Sequence, residues 1–172
     1  MSGPFARKTI LATLLASILA GAMQAAAAAD VVTIKAMSLE LARDIAQAAV
    51  EACRQDGYQV SVVVVDRSAV PQVSFRDVYA SSFNTDIAQR KANAVILAGV
   101  STREFVANRP DLSAVLNHME SLLALGGGLP IRAAGALLGA VGVSGAPGGD
   151  LDEKCAQKGI DAVAERLEFA EP

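Results

Sequence analysis

Two pairs of apolar segments, each joined by a turn of two or three residues, most constrain how this chain can fold. Val60 to Val65 lies in the most valine-rich segment, and short valine-rich segments are typical of buried strands. A parallel pair needs a crossover of about a dozen residues or more, so each pair must form an antiparallel hairpin. The four predicted strands are 58–66, 70–75, 131–133 and 136–144.

Helical periodicity occurs before, between and after the two hairpins. Ser38 is a good N-cap for the first helix, and Asp150, with Glu153 three residues later, resembles a capping box for the last. Helices on the faces of an antiparallel sheet make an α+β fold rather than a doubly wound α/β fold. The predicted helices are 39–55, 85–98, a short one from Ser101 or Thr102 to 108, a loop-helix over 112–125, and one after Asp150 through Leu167.

Glycines inside a predicted strand indicate close packing. Gly139 and Gly142 interrupt the apolar segment 136–144. A glycine within a strand often marks a place where another backbone approaches closely. We therefore expect a neighbouring element to pack tightly against this strand.

The first 29 residues read as a secretory signal peptide. Arg7 and Lys8 precede an uncharged apolar stretch, and a tract of small residues ends at Ala29. The apolar stretch is shorter than the roughly 20 residues of a membrane span, which favours cleavage over a retained anchor. We expect a cut before Asp30 and a single domain over 30–172, in a periplasmic or secreted location.

The size and net charge of the cleaved chain limit the classes of function that it can have. Removing the leader leaves 143 residues, a normal length for one domain. The net charge changes from −3 to −5, because the leader carries two basic residues and no acidic ones. A mildly acidic domain without basic clusters argues against nucleic acid as a partner.

Two cysteines, Cys53 and Cys155, lie in predicted helices near opposite ends of the domain. An oxidising compartment permits a disulfide between them, which would close a loop of about 100 residues. Two buried free thiols are the alternative, because cysteine also behaves as a small apolar residue. The chain has no C-x-x-C motif, which argues against a structural zinc site at these residues.

No motif indicates a standard catalytic centre. His118 is the sole histidine and no G-x-S-x-G motif is present, which argues against a serine hydrolase. The glycine-rich segment 126–128 lacks the ending of a phosphate-binding P-loop. The acidic residues around Asp152 fall in the first turn of a predicted helix, where they favour the helix dipole.

His118 and Met119 are adjacent, and both residue types bind haem iron. Successive side chains on a helix point about 100° apart, so the two would not bind one iron from the same side. A single histidine is more often a surface or hydrogen-bonded residue. His118 alone is kept as a candidate ligand.

Several motifs together resemble one family. Gly127 to Ile131 reads G-G-L-P-I, and Gly139 to Gly145 reads G-A-V-G-V-S-G. Lys91-Ala92 lies in a predicted helix upstream, with Thr102 after a short break, and Ala156 and Gly159 lie in the last helix. This combination resembles the GlcG/HbpS-like family of haem-binding proteins, whose domain also occurs fused to corrinoid adenosyltransferases. The resemblance covers about 38–167.

The resemblance implies a profilin-like antiparallel sheet, symmetric homo-oligomers (octamers in some members), and binding of haem or another tetrapyrrole. It also implies an exported role in haem scavenging or redox sensing, with a membrane sensor as a possible partner. A threonine is associated with haem iron in the family, and Thr102 is the matching position here. Thr102, His118 and Lys91 are thus the candidate cofactor-binding residues.

Two departures from the family pattern put the nearby pocket in question. Family members usually have a V-D-x-x-G turn after the first strand, where this chain has Val65 to Ala69. They also have a D-G-A-type segment where this chain has Asp77-Val78-Tyr79. These departures leave open a lost or changed ligand. A haem-degrading or other small-molecule enzyme and a ligand-free accessory partner of a membrane sensor are the alternatives to haem binding.

Overall fold

The computed structural model describes residues 30–31 and 33–169. The chain divides into two units after residue 34, and all the helices and strands given below lie in the second. The predicted leader and its cleavage point lie outside the described residues. Among the described helices, none is both long and apolar enough to cross a membrane.

The second unit has an α+β fold, as the hairpins predict. Its four strands form one fully antiparallel sheet in the order β2-β1-β4-β3. The strands are β1 Ser61–Asp66, β2 Pro71–Arg76, β3 Gly128–Ala133 and β4 Ala136–Ser144. The helices are α1 Leu39–Gln55, α2 Ser82–Ala98, α3 Thr102–Asn108, α4 Pro110–Leu116, α5 Gly149–Asp161 and α6 Ala164–Glu168.

Alternation along β1 builds two apolar layers, one on each face of the sheet. Val62 and Val64 belong to a large core cluster with residues of α1 and α5. Val63 and Val65 belong to a smaller cluster with Ala88, Ala92 and Val95 of α2. Successive strand side chains point to opposite faces, so one valine-rich strand supports helices on both sides.

Glycines permit the closest contacts between these layers. A Cβ atom on Gly142 of β4 would collide with the backbone carbonyl oxygen of Ala88 in α2. A Cβ on Gly159 of α5 would lie 2.5 Å from the carbonyl oxygen of Ile45 in α1. The expected close approach to the last strand is confirmed, with α2 as the partner at Gly142 and the Val65 carbonyl oxygen of β1 as the close neighbour at Gly139.

A disulfide joins α1 to α5. Cys53 and Cys155 are bonded, with their Cα atoms 5.4 Å apart. Both side chains are fully buried in the core between the two helices. This resolves the alternative that the sequence leaves open, because the two helices pack side by side.

Two predicted boundaries are wrong near the middle of the chain. The loop-helix predicted over 112–125 ends at Leu116, because the Asn117 carboxamide accepts the Ala124 N–H at 2.6 Å and turns the chain back. The third strand begins at Gly128 rather than at residue 131. Pro130 is tolerated within it because β3 is an edge strand, where a missing N–H is not needed.

Other differences concern how elements begin and end, and α2 begins at Ser82, three residues earlier than predicted. The N-cap of α5 is Gly148, in an extended conformation, and not Asp150, which lies in the first helical turn. The last helix is interrupted after Asp161 and resumes as α6. β1 begins three residues later than predicted, because the Tyr58 N–H is bonded to the Cys53 carbonyl at the end of α1.

Candidate functional site

Two of the three predicted site residues lie together around Gly127 and Gly128. A Cβ on Gly128 would be 2.8 Å from both the Lys91 carbonyl oxygen and the Thr102 Cγ2 atom. A Cβ on Gly127 would be 2.8 Å from Lys91 Nζ and from the Asp152 Cβ. The G-G-L-P-I motif therefore has glycines where α2, α3 and α5 all press against the start of β3.

Lys91 forms an ion pair inside the protein. Its side chain is buried, and Nζ donates to the Asp152 Oδ2 atom at 2.8 Å and to the Val143 carbonyl at 2.9 Å. Asp152 also accepts the Ala146 N–H at 3.0 Å. Burial raises the pKa of the Asp152 carboxyl, and the charge of Lys91 and these hydrogen bonds oppose the rise. Lys91 thus ties α2 to β4 and α5, and its predicted contact with a cofactor stays a prediction.

Thr102 is equally enclosed. Its side chain is 1% exposed, and Oγ1 accepts the Gly128 N–H at 3.1 Å. The hydroxyl group thereby satisfies the first backbone donor of β3. Its predicted role as an iron ligand stays a prediction.

His118 lies on an exposed turn that follows α4. No hydrogen bond connects its side chain to Lys91 or Thr102 in the described residues. The turn is held against α2, because Arg90 donates to the Leu122 carbonyl at 3.1 Å and Asn93 to the Ser121 carbonyl at 3.0 Å. His118 is the predicted site residue that a ligand could reach from solvent.

An open cavity of about 400 Å³ adjoins the enclosed cluster. It lies between α3, the chain just before β3, and the start of α5. Two of its apolar side chains are notably exposed, with Val106 36% and Leu125 52% accessible. The lining residues are Arg103, Val106, Ala124, Leu125, Gly126, Gly149 and Asp150.

The walls of this cavity are tied to the buried ion pair. A Cβ on Gly126 would lie 3.2 Å from the carbonyl carbon and oxygen of Gly149, so these two lining segments touch. Gly126 directly precedes the loop against Lys91, and Gly149 begins the helix that carries Asp152. The Lys91–Asp152 pair therefore fixes two sides of the cavity without being exposed in it.

Arg103 is the cationic residue of the lining. Its Nε atom donates to Glu153, at 3.2 Å to Oε1 and 3.0 Å to Oε2. Its two terminal nitrogens have no hydrogen-bond partner among the described residues. Sequence reasoning missed this pair, because the residues are 50 positions apart, Arg103 belongs to no motif, and Glu153 was interpreted only as part of a helix cap.

A second open cavity, of about 440 Å³, lies on the other side of α3 and also contains an arginine. There, Arg132 donates to the Gly99 carbonyl at 2.6 Å and to the Gly135 carbonyl at 3.2 Å. Its terminal nitrogens are thus occupied by the protein's own backbone. Within the described part of the chain, no group of three or more His, Cys, Asp and Glu residues could hold a metal ion.

Comparisons with solved structures give several close matches. A double mutant of HbpS from Streptomyces reticuli is 38% identical, with a TM-score of 0.73, and the match covers 83% of this chain and 97% of that one. A PduOC:heme complex is 27% identical, with a TM-score of 0.68, and the match covers 74% and 95% of the two chains. The Klebsiella pneumoniae protein ORFY, of the family DUF336, is 24% identical with a TM-score of 0.74, over 81% and 98%, which shows a shared fold.

A comparison with curated proteins gave no match. The family model described as "Haem degrading protein HbpS-like" matches residues 37–161, which takes in the whole sheet and the core helices α1 to α5. This match covers well over half of the chain, and it agrees with the resemblance that the motifs indicate. The chain belongs to the HbpS-like family.

Proposed function

We propose that this chain is an exported protein that binds haem or a related tetrapyrrole in the cavity beside α3. The observation that carries this proposal is the cavity itself, with exposed Val106 and Leu125 next to the Arg103 guanidinium. Ligand pockets are typically apolar with a few polar groups that fix orientation. Membership of the HbpS-like family and the similarity to a PduOC:heme complex support a tetrapyrrole as the ligand.

The lining fits the organic part of haem better than its iron. The apolar side chains suit the porphyrin ring, and an arginine suits its propionate groups. The lining has no imidazole, thiolate, thioether or phenol, and the Asp150 carboxylate is its one anionic oxygen ligand. Bound haem would supply an iron centre capable of redox chemistry and of binding small molecules.

Of the three predicted cofactor-binding residues, His118 is the best candidate for the iron ligand. Its side chain is exposed, whereas Lys91 and Thr102 use their polar atoms inside the protein. The turn that carries His118 leads into Ala124 and Leu125 of the cavity wall. Histidine is also a much stronger ligand for iron than a neutral hydroxyl.

The disulfide supports export. Cys53 and Cys155 are bonded in a small domain, and disulfides persist mainly in oxidising compartments outside the cytosol. The predicted signal peptide also indicates a compartment outside the cytosol. Mass spectrometry of the protein recovered from cells tests this. We expect a chain that begins at Asp30 with both cysteines oxidised, and an intact chain with free thiols would contradict it.

Haem degradation is the second candidate, because the family description names it. Asp150 is the one lining side chain that could act as a general acid or base. Incubating the haemin complex with ascorbate separates the two functions. Steady loss of the haem absorbance with release of iron would favour degradation, and a stable spectrum would favour binding alone.

A symmetric homo-oligomer and a membrane sensor as partner also belong to the proposal. Three exposed apolar side chains that lie close together in the sequence support self-association: Val78 is 75%, Tyr79 85% and Phe83 76% accessible. Exposed clusters of this kind often mark protein contacts. Light scattering on the wild type and on Phe83→Ser tests this, and a monomer at all concentrations would contradict it.

The direct test of binding is a titration with haemin followed by absorbance. We expect a saturable shift of the Soret band at a fixed stoichiometry, and a changed spectrum for His118→Ala. Thr102→Ala is the matched comparison for the buried candidate. If the wild type shows no saturable shift, the haem proposal is wrong.

A further inference from the structure

We infer that Arg103 is the carboxylate-binding group of the cavity, and that the cavity selects apolar molecules with a carboxylate at their edge. This inference rests on the proposed function and extends it, because it defines the class of ligand by its chemistry. Haem and other tetrapyrroles with propionate groups belong to this class.

The first step concerns the orientation of the guanidinium group. Glu153 is 20% exposed, and both of its carboxylate oxygens accept from Arg103 Nε. A guanidinium is planar and rigid, so fixing Nε also fixes the direction of the other two nitrogens. Arg103 therefore presents its terminal fork in a defined direction before any ligand arrives.

The second step concerns availability. Arg54 has its fork engaged by Asp77, Arg90 donates to the Leu122 carbonyl, and Arg132 donates to the Gly99 and Gly135 carbonyls. Arg103 differs in that, among the described residues, nothing engages its two terminal nitrogens. Two parallel N–H donors of this kind match the two oxygens of a carboxylate.

The third step concerns selectivity. Asp150 lines the same cavity and repels anions, and Glu153 offsets much of the charge of Arg103. A small anion would therefore gain little from entering. A ligand that also buries apolar surface against Val106 and Leu125 would gain the hydrophobic contribution, about 25 cal/mol for each Å² removed from water. The cavity thus favours amphipathic acids over inorganic anions.

The experiment compares three probes on the purified protein, processed as the cell leaves it. The probes are haemin, haemin dimethyl ester, in which both carboxylates are blocked, and the fluorescent fatty acid 11-(dansylamino)undecanoic acid. The variants are Arg103→Gln and Arg103→Lys. Arg166→Gln is the control, because Arg166 is similarly exposed and pairs with Asp44 away from the cavity lining.

We expect the wild type to bind haemin more tightly than its ester, and Arg103→Gln to lose this preference with a Kd for haemin about tenfold higher or more. Arg103→Lys keeps the charge without the fork and should lie between the two. Arg166→Gln should behave as the wild type. Thermal unfolding of each variant shows that the comparison is between folded proteins.

Each other outcome has a distinct meaning. If Arg103→Gln binds haemin as the wild type does, and the ester binds as well as the acid, the inference is wrong and haem binding stands. If haemin does not bind but the fatty acid binds in an Arg103-dependent way, the haem proposal is wrong and the inference stands. If neither probe binds the wild type, both are wrong.

Discussion

The Nζ atom of Lys91 lies 2.8 Å from the Asp152 Oδ2 atom, in a region where neither side chain is more than 5% exposed. This ion pair connects α2 to the first turn of α5, and the glycine loop before β3 packs directly over it. The two lining segments of the cavity are fixed from behind by this contact. A residue identified from a family motif therefore supports the site from within the protein.

Removing one partner of this pair should destabilise the fold strongly. We predict that Lys91→Met lowers the free energy of unfolding by about 3–5 kcal/mol, because Asp152 is left buried without its counter-charge. The double change Lys91→Met with Asp152→Leu should recover much of the loss. Urea denaturation measures both, with Lys154→Met at the exposed pair with Asp56 as the control. Equal effects of Lys91→Met and Lys154→Met would contradict the structural role.

Gly127 tests how tightly the loop is enclosed. Its φ is +118°, and an added Cβ would meet Lys91 Nζ, the Asp152 Cβ and the Val143 carbonyl oxygen at 2.8 Å each. Gly127→Ala should lower the melting temperature much more than Gly135→Ala. Gly135 also has a positive φ, +79°, but an added Cβ there meets nothing within 4 Å. Gly135→Ala thus measures backbone strain alone. If the two variants lower the melting temperature by similar amounts, the close contacts around Gly127 do not contribute to stability.

The disulfide should contribute much of the stability of the domain. It spans 102 residues, and closing a loop of this length is worth up to about 4–5 kcal/mol in the chain-entropy model. We predict that the pair Cys53→Ala and Cys155→Ala unfolds at clearly lower urea concentration than the wild type. Adding a reductant during unfolding should bring the wild type to the same midpoint. If the urea midpoint of the wild type does not change with reductant, and the double variant has the same midpoint, the disulfide does not stabilise the domain.

The turn between β1 and β2 has an alanine where the family usually has glycine. Ala69 adopts a φ of +64°, and the Asp66 carboxylate accepts the N–H groups of Ser68 at 2.7 Å and Val70 at 3.0 Å. The turn therefore keeps its left-handed geometry, at a cost of roughly 1–2 kcal/mol for a residue with a Cβ. We predict that Ala69→Gly stabilises the fold by about 0.5–1 kcal/mol after the entropy of glycine is counted. Chemical denaturation checks this, and Ala114→Gly, at an exposed position of α4, should do the opposite.

Local sequence patterns predicted the hairpins and most of the helices. These elements depend mainly on residues that are near in the sequence, as in the valine-rich strand and the short turns. The glycines of β4 depend on single close contacts. The end of α4 was not predictable in this way. The bonds that replace its helical ones come from Asn117 and from the side chains of α2, and these depend on tertiary packing.

The candidate site also has one part that the sequence predicted and one part that it did not. The motif positions Lys91, Thr102 and Gly127 were identified from sequence, and they do lie together, but as the enclosed support of the cavity. Arg103 is the exposed cation of the cavity and is paired with the partly buried Glu153, and only the fold brings α3 and α5 together there. A pair that is separated by 50 residues leaves no local signal of its contact in the sequence.

The location of bound haemin can be measured by NMR, because ferric iron broadens the signals of nearby nuclei. With ¹⁵N-labelled protein, we predict that haemin broadens the backbone amide signals of residues 103–106, 117–119, 124–126 and 149–150, while the signals of β2 stay sharp. The diamagnetic zinc protoporphyrin serves as the reference for binding without broadening. Broadening centred on another surface, or the absence of selective broadening at saturating haemin, would contradict the assignment of tetrapyrrole binding to this cavity.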